Sequence, residues 1–229
     1  YKETIDQLLH GSCRRPHHPA DDGLSRADKE IETHLDRPSK RAGILLHTGD
    51  QVYVDDVAGP MLASIHALIE VLKLSDEALP DDQLNQLDDL IQHPNGYYSR
   101  QSLLPDTKAN EALTEKFFGG VKKPIFTSAH AGNHLITAAE VFAMYLLCWS
   151  PTPWRLIKVQ QPSQLNQEQQ KRFTDEQATV DKFVKTLPQA ARAMAHSISY
   201  MMFDDHDVTD DWNLSAAWEL TAYHHPFSK

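Results

Sequence analysis

The side chains with the most chemistry to offer lie near the end of the chain, in the stretch Met201-Met202-Phe203-Asp204-Asp205-His206-Asp207-Val208-Thr209-Asp210-Asp211-Trp212. An apolar run stops there in five acids and one histidine. Burying that many carboxylates without a cation is costly, so the loop is either fully solvated or holds metal. Two earlier stretches carry residues that suit the second reading. Gly11-Ser12-Cys13-Arg14-Arg15 offers a thiol beside two arginines, and Gly49-Asp50-Gln51-Val52-Tyr53 offers a carboxylate and a phenol. Carboxylates favour hard cations such as calcium, magnesium or manganese, whereas a thiolate and a phenolate favour iron or zinc. A mixed two-metal site uses both sets.

Each of the three stretches follows a segment that reads as a strand. Ile5, Leu8 and Leu9 precede the first loop, which Gly11 and two prolines keep irregular. Ala42 to Thr48 is a short apolar run between glycines and is expected to be a buried strand opening into Asp50. Ser197 to Phe203 is expected to be a third buried strand feeding the acidic loop. In a parallel sheet these three ends share one edge, where α/β proteins place their sites. The segments between read as helices. Leu24 to Leu35 has helical apolar spacing and is stopped by Pro38, and Val57 to Leu72 is amphipathic. Short helices are expected around 83–91 and 110–118. Leu135 to Trp149, apolar nearly all round, reads as a buried helix. Asn166 to Gln169 reads as a capping box opening a polar helix whose inner side is Phe173, Val180, Phe183, Val184 and Leu187. Asn213 is placed to cap a last helix. The pattern is α/β with parallel strands and a large helical insertion over residues 57–195 of one domain, 1–229.

Composition bounds the function. The 229 residues are 41% hydrophobic and 24% charged, enough for one substantial core. A net charge of -10 excludes nucleic-acid binding through a broad basic face. An anionic small substrate remains compatible if a metal or a local arginine cluster reverses the field. Two cysteines, Cys13 and Cys148, form no disulfide framework. The longest apolar stretch, Val141 to Trp149, is too short to span a membrane. The chain reads as soluble, cytoplasmic or periplasmic, and its start at Tyr1 leaves room for a removed leader.

Gly49-Asp50-Gln51-Val52-Tyr53, then Phe203-Asp204-Asp205-His206-Asp207 and Trp212, resemble the PhoD-like branch of the calcineurin-like metallophosphoesterases, alkaline phosphatases and phosphodiesterases among them. Gly11-Ser12-Cys13-Arg14 resembles that branch's first motif, with cysteine in place of the superfamily's aspartate. The resemblance implies part of a layered α/β sandwich and a dinuclear site of divalent or trivalent ions (calcium, iron, manganese or zinc). It implies that Asp50 bridges the two metals, that Cys13 and Tyr53 bind the iron-like one, and that Asp205 takes the place of the usual Asn ligand. His206 then faces the leaving group of a phosphate-ester substrate as the catalytic histidine, beside Asp205. Arg14 or Arg15 can clamp the phosphate bidentately. No Gly-His-x-His motif is present and Arg15 stands where a histidine is usual, so the resemblance also implies a chain cut short at Lys229, lacking part of the sheet and of the second metal site.

Blander readings stand beside these. Cys13 can be a buried apolar residue, and the acids other than Asp205 can be solvated or capping. Gly132-Asn133-His134 spells a superfamily motif, but Leu135 follows where an acid is needed. Asn133 is then expected to cap the next helix. His17-His18 and His224-His225 are expected at the surface, and Met194, Met201 and Met202 in the core. The alternatives to a phosphoesterase are a non-catalytic or truncated relative that binds a phosphorylated ligand or a protein partner, and a helical interaction module with a solvated acidic loop.

Overall fold

A computed structural model describes residues 4–74, 77–79, 84–107, 124–126, 131–210, 212 and 215–228. Among these, three strands form one parallel sheet and six α-helices surround it. The strands are β1 (Leu8–Gly11), β2 (Ile44–His47) and β3 (Ile198–Met201), in the order β1-β2-β3. Leu8 pairs with Ile44 and Ile44 with Ile198, and Gly11 with His47 and His47 with Met201. The three carboxyl ends therefore come out level on one edge.

Helix α1 (Gly23–Thr33) links β1 to β2, with the Asp22 side chain accepting from the Leu24 amide at its start. Between β2 and β3 run α2 (Gly59–Leu72), α3 (Leu87–Gln92), α4 (Ala138–Trp149) and α5 (Gln167–Ala195). The expected capping box at Asn166 forms, with Asn166 and Gln169 bonding reciprocally. Helix α6 (Ala216–His224) follows the acidic loop. The larger core lies where α2 meets α4 and the first half of α5, through Met61, Ile65, Leu68, Met144, Leu147 and Val180. The last turns of α5 instead reach the sheet, where Ala190 and Ala193 pack on Leu45 with Leu24, Ala27 and Ile31 of α1. One helix thus spans both cores. Among the described residues, no helix is long and apolar enough to cross a membrane.

Several expectations need correction. Strand β3 is not buried: Ile198 is 56% and Tyr200 56% exposed. Both lie, with Leu8 and Ile44, on the sheet face opposite α1 and α5. A continuous apolar run suggests two-sided burial but cannot say how many layers cover the sheet. Met201, on the other face at the end of the strand, and Met202, just past it, are exposed as well. In α4, Phe142 is 65% exposed, so that helix buries one side only. Thr137, not Asn133, caps α4. Asn133 instead accepts from the Tyr98 amide and donates to the Val57 carbonyl. Ser215 caps α6, and Asn213 lies outside the described residues, as does the helix expected at 110–118. His17 is not a surface residue. Its side chain is 10% exposed, accepts from Arg15 and stands 3.6 Å from Asp56.

Candidate metal centre at the sheet edge

The three loops leaving the sheet are sewn together by backbone bonds. Cys13 N–H donates to the Gly49 carbonyl at 3.1 Å and Arg14 N–H to the Asp50 carbonyl at 2.9 Å. Val54 N–H donates to the His206 carbonyl at 3.0 Å, which ties the second loop to the third. Gly49 is needed for close approach, since a Cβ there would stand 2.9 Å from the Asp204 carboxylate. Cys13 and Asp50 both adopt the left-handed backbone region, with φ of 61° and 44°. For a residue with a Cβ this conformation is strained, and such strain clusters at functional sites.

Asp50 is the point of convergence. Its Oδ2 accepts from the Cys13 thiol at 3.2 Å and from the Tyr53 hydroxyl at 3.0 Å. Its Oδ1 is buried and has no hydrogen-bond partner among the described residues. Ligand atoms of Asp50, Asp205 and His206 all lie within 4.8 Å of one another. Burial pushes the Asp205 carboxyl above its ordinary range, with nearby Asp50 and Asp204 adding to the effect. Burial likewise raises the Tyr53 phenol, and its contacts with Cys13 and Asp50 raise it further. A buried carboxylate with one unpartnered oxygen, close to a second carboxylate and an imidazole, suits a divalent cation in both charge and donor type. Cys13 and Tyr53 already gather on the same carboxylate.

His206 is held from behind. Its Nδ1 bonds the Asp55 carboxylate at 2.7 Å, and its ring lies against Tyr53 with centroids 4.5 Å apart. Burial opposes the imidazolium, but Asp55 outweighs it and the pKa rises. Asp55 is fully buried and is itself raised by burial. Asp207, in turn, builds the loop. It accepts from the amides of Gln51 at 3.0 Å, Val52 at 3.0 Å and Asp204 at 2.9 Å, and from the Tyr145 hydroxyl. Neither Asp55 nor Asp207 stood out in the sequence, where both were two acids among many.

The two arginines occupy different places. Arg14 points into the fold: its guanidinium bonds Asp22 at 2.8 Å and the Cys148 carbonyl, and is stacked between the Trp149 and Phe183 rings. Arg15 keeps 28% of its side chain exposed, pairs with Asp56 and lies over Tyr53. Of the two, Arg15 is the one within reach of the Asp50–Tyr53 edge. Beside Cys13 and Asp50 a cavity of about 340 Å³ opens between the first loop, α1 and α5.

No protein-family model, no curated protein and no solved structure matches the chain.

Proposed function

We propose that the chain is a metal-dependent hydrolase of phosphate esters, a phosphomonoesterase or phosphodiesterase, built on part of a metallophosphoesterase-type sandwich with a helical insertion. One observation carries this reading: Asp50, Asp205 and His206 bring their ligand atoms within 4.8 Å of one another, on loops that also present Cys13 and Tyr53. Asp50 and Asp205 would hold the cations, with Cys13 and Tyr53 as further ligands once deprotonated. Bound cations supply Lewis acidity and neutralise charge on the phosphoryl group.

The chain's own residues do the rest. Arg15, partly exposed over Tyr53, would share its pairing with Asp56 to donate to a phosphoryl oxygen. Hydrolysis adds water across the P–O bond, and the departing oxygen must take up a proton. His206 has its Nδ1 committed to Asp55, which leaves Nε2 to deliver that proton. The charge it gives up is one that Asp55 stabilises beforehand.

Metal analysis of the purified chain, together with hydrolysis of a phosphomonoester and a phosphodiester, tests the reading. Bound metal that is lost in Asp50→Ala and Asp205→Ala, with turnover lost in parallel, is the expected result. A chain that takes up no calcium, manganese, iron or zinc under any condition is not this enzyme. Metal binding without turnover of either ester leaves the non-catalytic alternative.

A further inference from the structure

We infer that the cavity beside Cys13 and Asp50 receives the organic group of the ester, and that it selects a compact, uncharged and mainly apolar one of aromatic size that carries a hydrogen-bonding atom for His47. The inference rests on the phosphoesterase reading and adds the substrate class. The cavity, about 340 Å³, is continuous with the candidate centre through Cys13, Gly49 and Asp50. That volume falls at the lower end of small-molecule sites, large enough for one or two fused rings.

Part of its wall is apolar. Leu24, Ala27 and Leu45 come from the second core, and Trp149 and Phe183 stand on either side of the Arg14 guanidinium. Its charge is balanced: the cations Arg14, Arg15, Arg26 and Lys182 line it together with the carboxylates Asp21, Asp22, Asp50 and Glu30. Each of those cations is also engaged, Arg14 with Asp22 at 2.8 Å, Arg26 with Glu30 at 2.7 Å, Lys182 with Asp21 at 2.6 Å, and Arg15 with Asp56. A second phosphate or a carboxylate on the organic group would therefore have to displace a carboxylate from these cations, apart from the buried Arg14 Nε, which has no hydrogen-bond partner among the described residues. A polyphosphate or sugar bisphosphate is disfavoured on that account, whereas an uncharged, mainly apolar group displaces no ion pair.

An independent observation also points to a ligand. His47, at the end of β2, is 8% exposed and lines the cavity edge-on to Trp149. Its Nε2 is buried with no hydrogen-bond partner among the described residues. A buried polar group left unpaired in a cavity wall marks a place where a partner arrives with the ligand.

The test separates binding from chemistry. Calorimetric titration of the metal-free chain with 2-naphthylmethanol is expected to give saturable one-site binding. Thr179→Trp, which narrows the cavity from the partly exposed side of α5, is expected to weaken it at least about 10-fold. Ala27→Leu serves as a second cavity-filling variant, and circular dichroism checks that each is folded. With metal bound, the naphthylmethyl phosphate is expected to have a kcat/KM at least about 10-fold above that of methyl phosphate. Failure of the alcohol to saturate, or equal binding to wild type and both folded variants, overturns the cavity inference whatever the activity. Competition by pyrophosphate for the alcohol in the metal-free chain overturns the charge argument. If the alcohol binds as expected but the metal-loaded chain hydrolyses neither ester, the phosphoesterase reading falls, and the assignment to an ester's organic group falls with it.

Discussion

The Asp55 carboxylate and the His206 imidazole meet at 2.7 Å, although the two residues come from loops after different strands. The Val54 amide bonds the His206 carbonyl one residue away from that contact, so backbone and side chain fix the same pairing. Asp55→Asn removes the charge but keeps the shape. Turnover is expected to fall about 10- to 100-fold with metal content unchanged, as for loss of a group that orients a reacting histidine. Steady-state kinetics beside metal analysis checks it.

His206→Gln distinguishes an acid from a ligand. If His206 delivers the proton, the variant keeps its metal and loses about 10²- to 10⁴-fold in kcat, and it loses least on esters with the most acidic leaving groups. Loss of metal at the same step would make His206 a ligand instead. A series of aryl phosphates of graded acidity reads the difference.

Asp207 carries the architecture of the loop. Truncation by Asp207→Ala leaves the buried amides of Gln51 and Val52 without their acceptor. Each unpaired buried donor costs about 1–3 kcal/mol, so the total is several kcal/mol. The expected signature is a lower urea midpoint with an unchanged slope. Asp207→Asn, which can still accept, is expected to lose less.

Arg14 is predicted to act on stability and on the cavity wall rather than on phosphate. Arg14→Lys keeps the charge and loses the planar stack between Trp149 and Phe183, for about 1–3 kcal/mol of destabilisation. A residue that clamped substrate would show a raised KM for methyl phosphate at constant stability. Thermal unfolding and KM measured on one preparation decide.

Acid sensitivity is set away from the candidate metal centre, around Glu140. Its carboxylate is completely buried between Arg100 at 2.7 Å and His66 at 2.7 Å. Burial favours its neutral form, but Arg100 and His66 prevail and bring the pKa down to about 2 from 4.5. Burial lowers His66 and brings His134 down to about 4 from 6.5. All three pKa values are depressed, so the folded state binds fewer protons than the unfolded chain. The stability they contribute is complete above 6.5. It is lost first as pH falls from 6.5 to about 4 through His134, with His66 acting in the same direction, and then from 4.5 to about 2 through Glu140. Each group adds a slope of up to about 1.4 kcal/mol per pH unit. Urea denaturation at a series of pH values measures it, and His134→Gln should flatten the upper step.

The sheet was legible because its strands are short apolar runs that end at glycine or in acids, so β1, β2, β3 and their loops could be placed from sequence alone. The parallel order that levels Cys13, Asp50 and Asp205 followed from the intervening helices. Burial was less legible. Ile198 and Tyr200 read as core because an apolar residue does not reveal whether a second layer covers it. Within the acidic loop the sequence singled out Asp205 and His206, but not Asp207, whose burial depends on amides far away at Gln51 and Val52. The partnership of Asp55 with His206 was hidden for the same reason. Arg14 looked like a phosphate clamp beside Arg15, and only the convergence of α4 and α5 on the first loop encloses it.

The left-handed backbone at Cys13 bears on how this chain can be improved. Cys13→Gly would relieve a conformation that a side chain disfavours by roughly 1 kcal/mol or more. A screen for thermal resistance would therefore enrich glycine there and, in the same step, discard the thiol that meets Asp50. Under the proposed function, position 13 is thus where selection for robustness and selection for work pull in opposite directions. A library built for the first should hold it fixed.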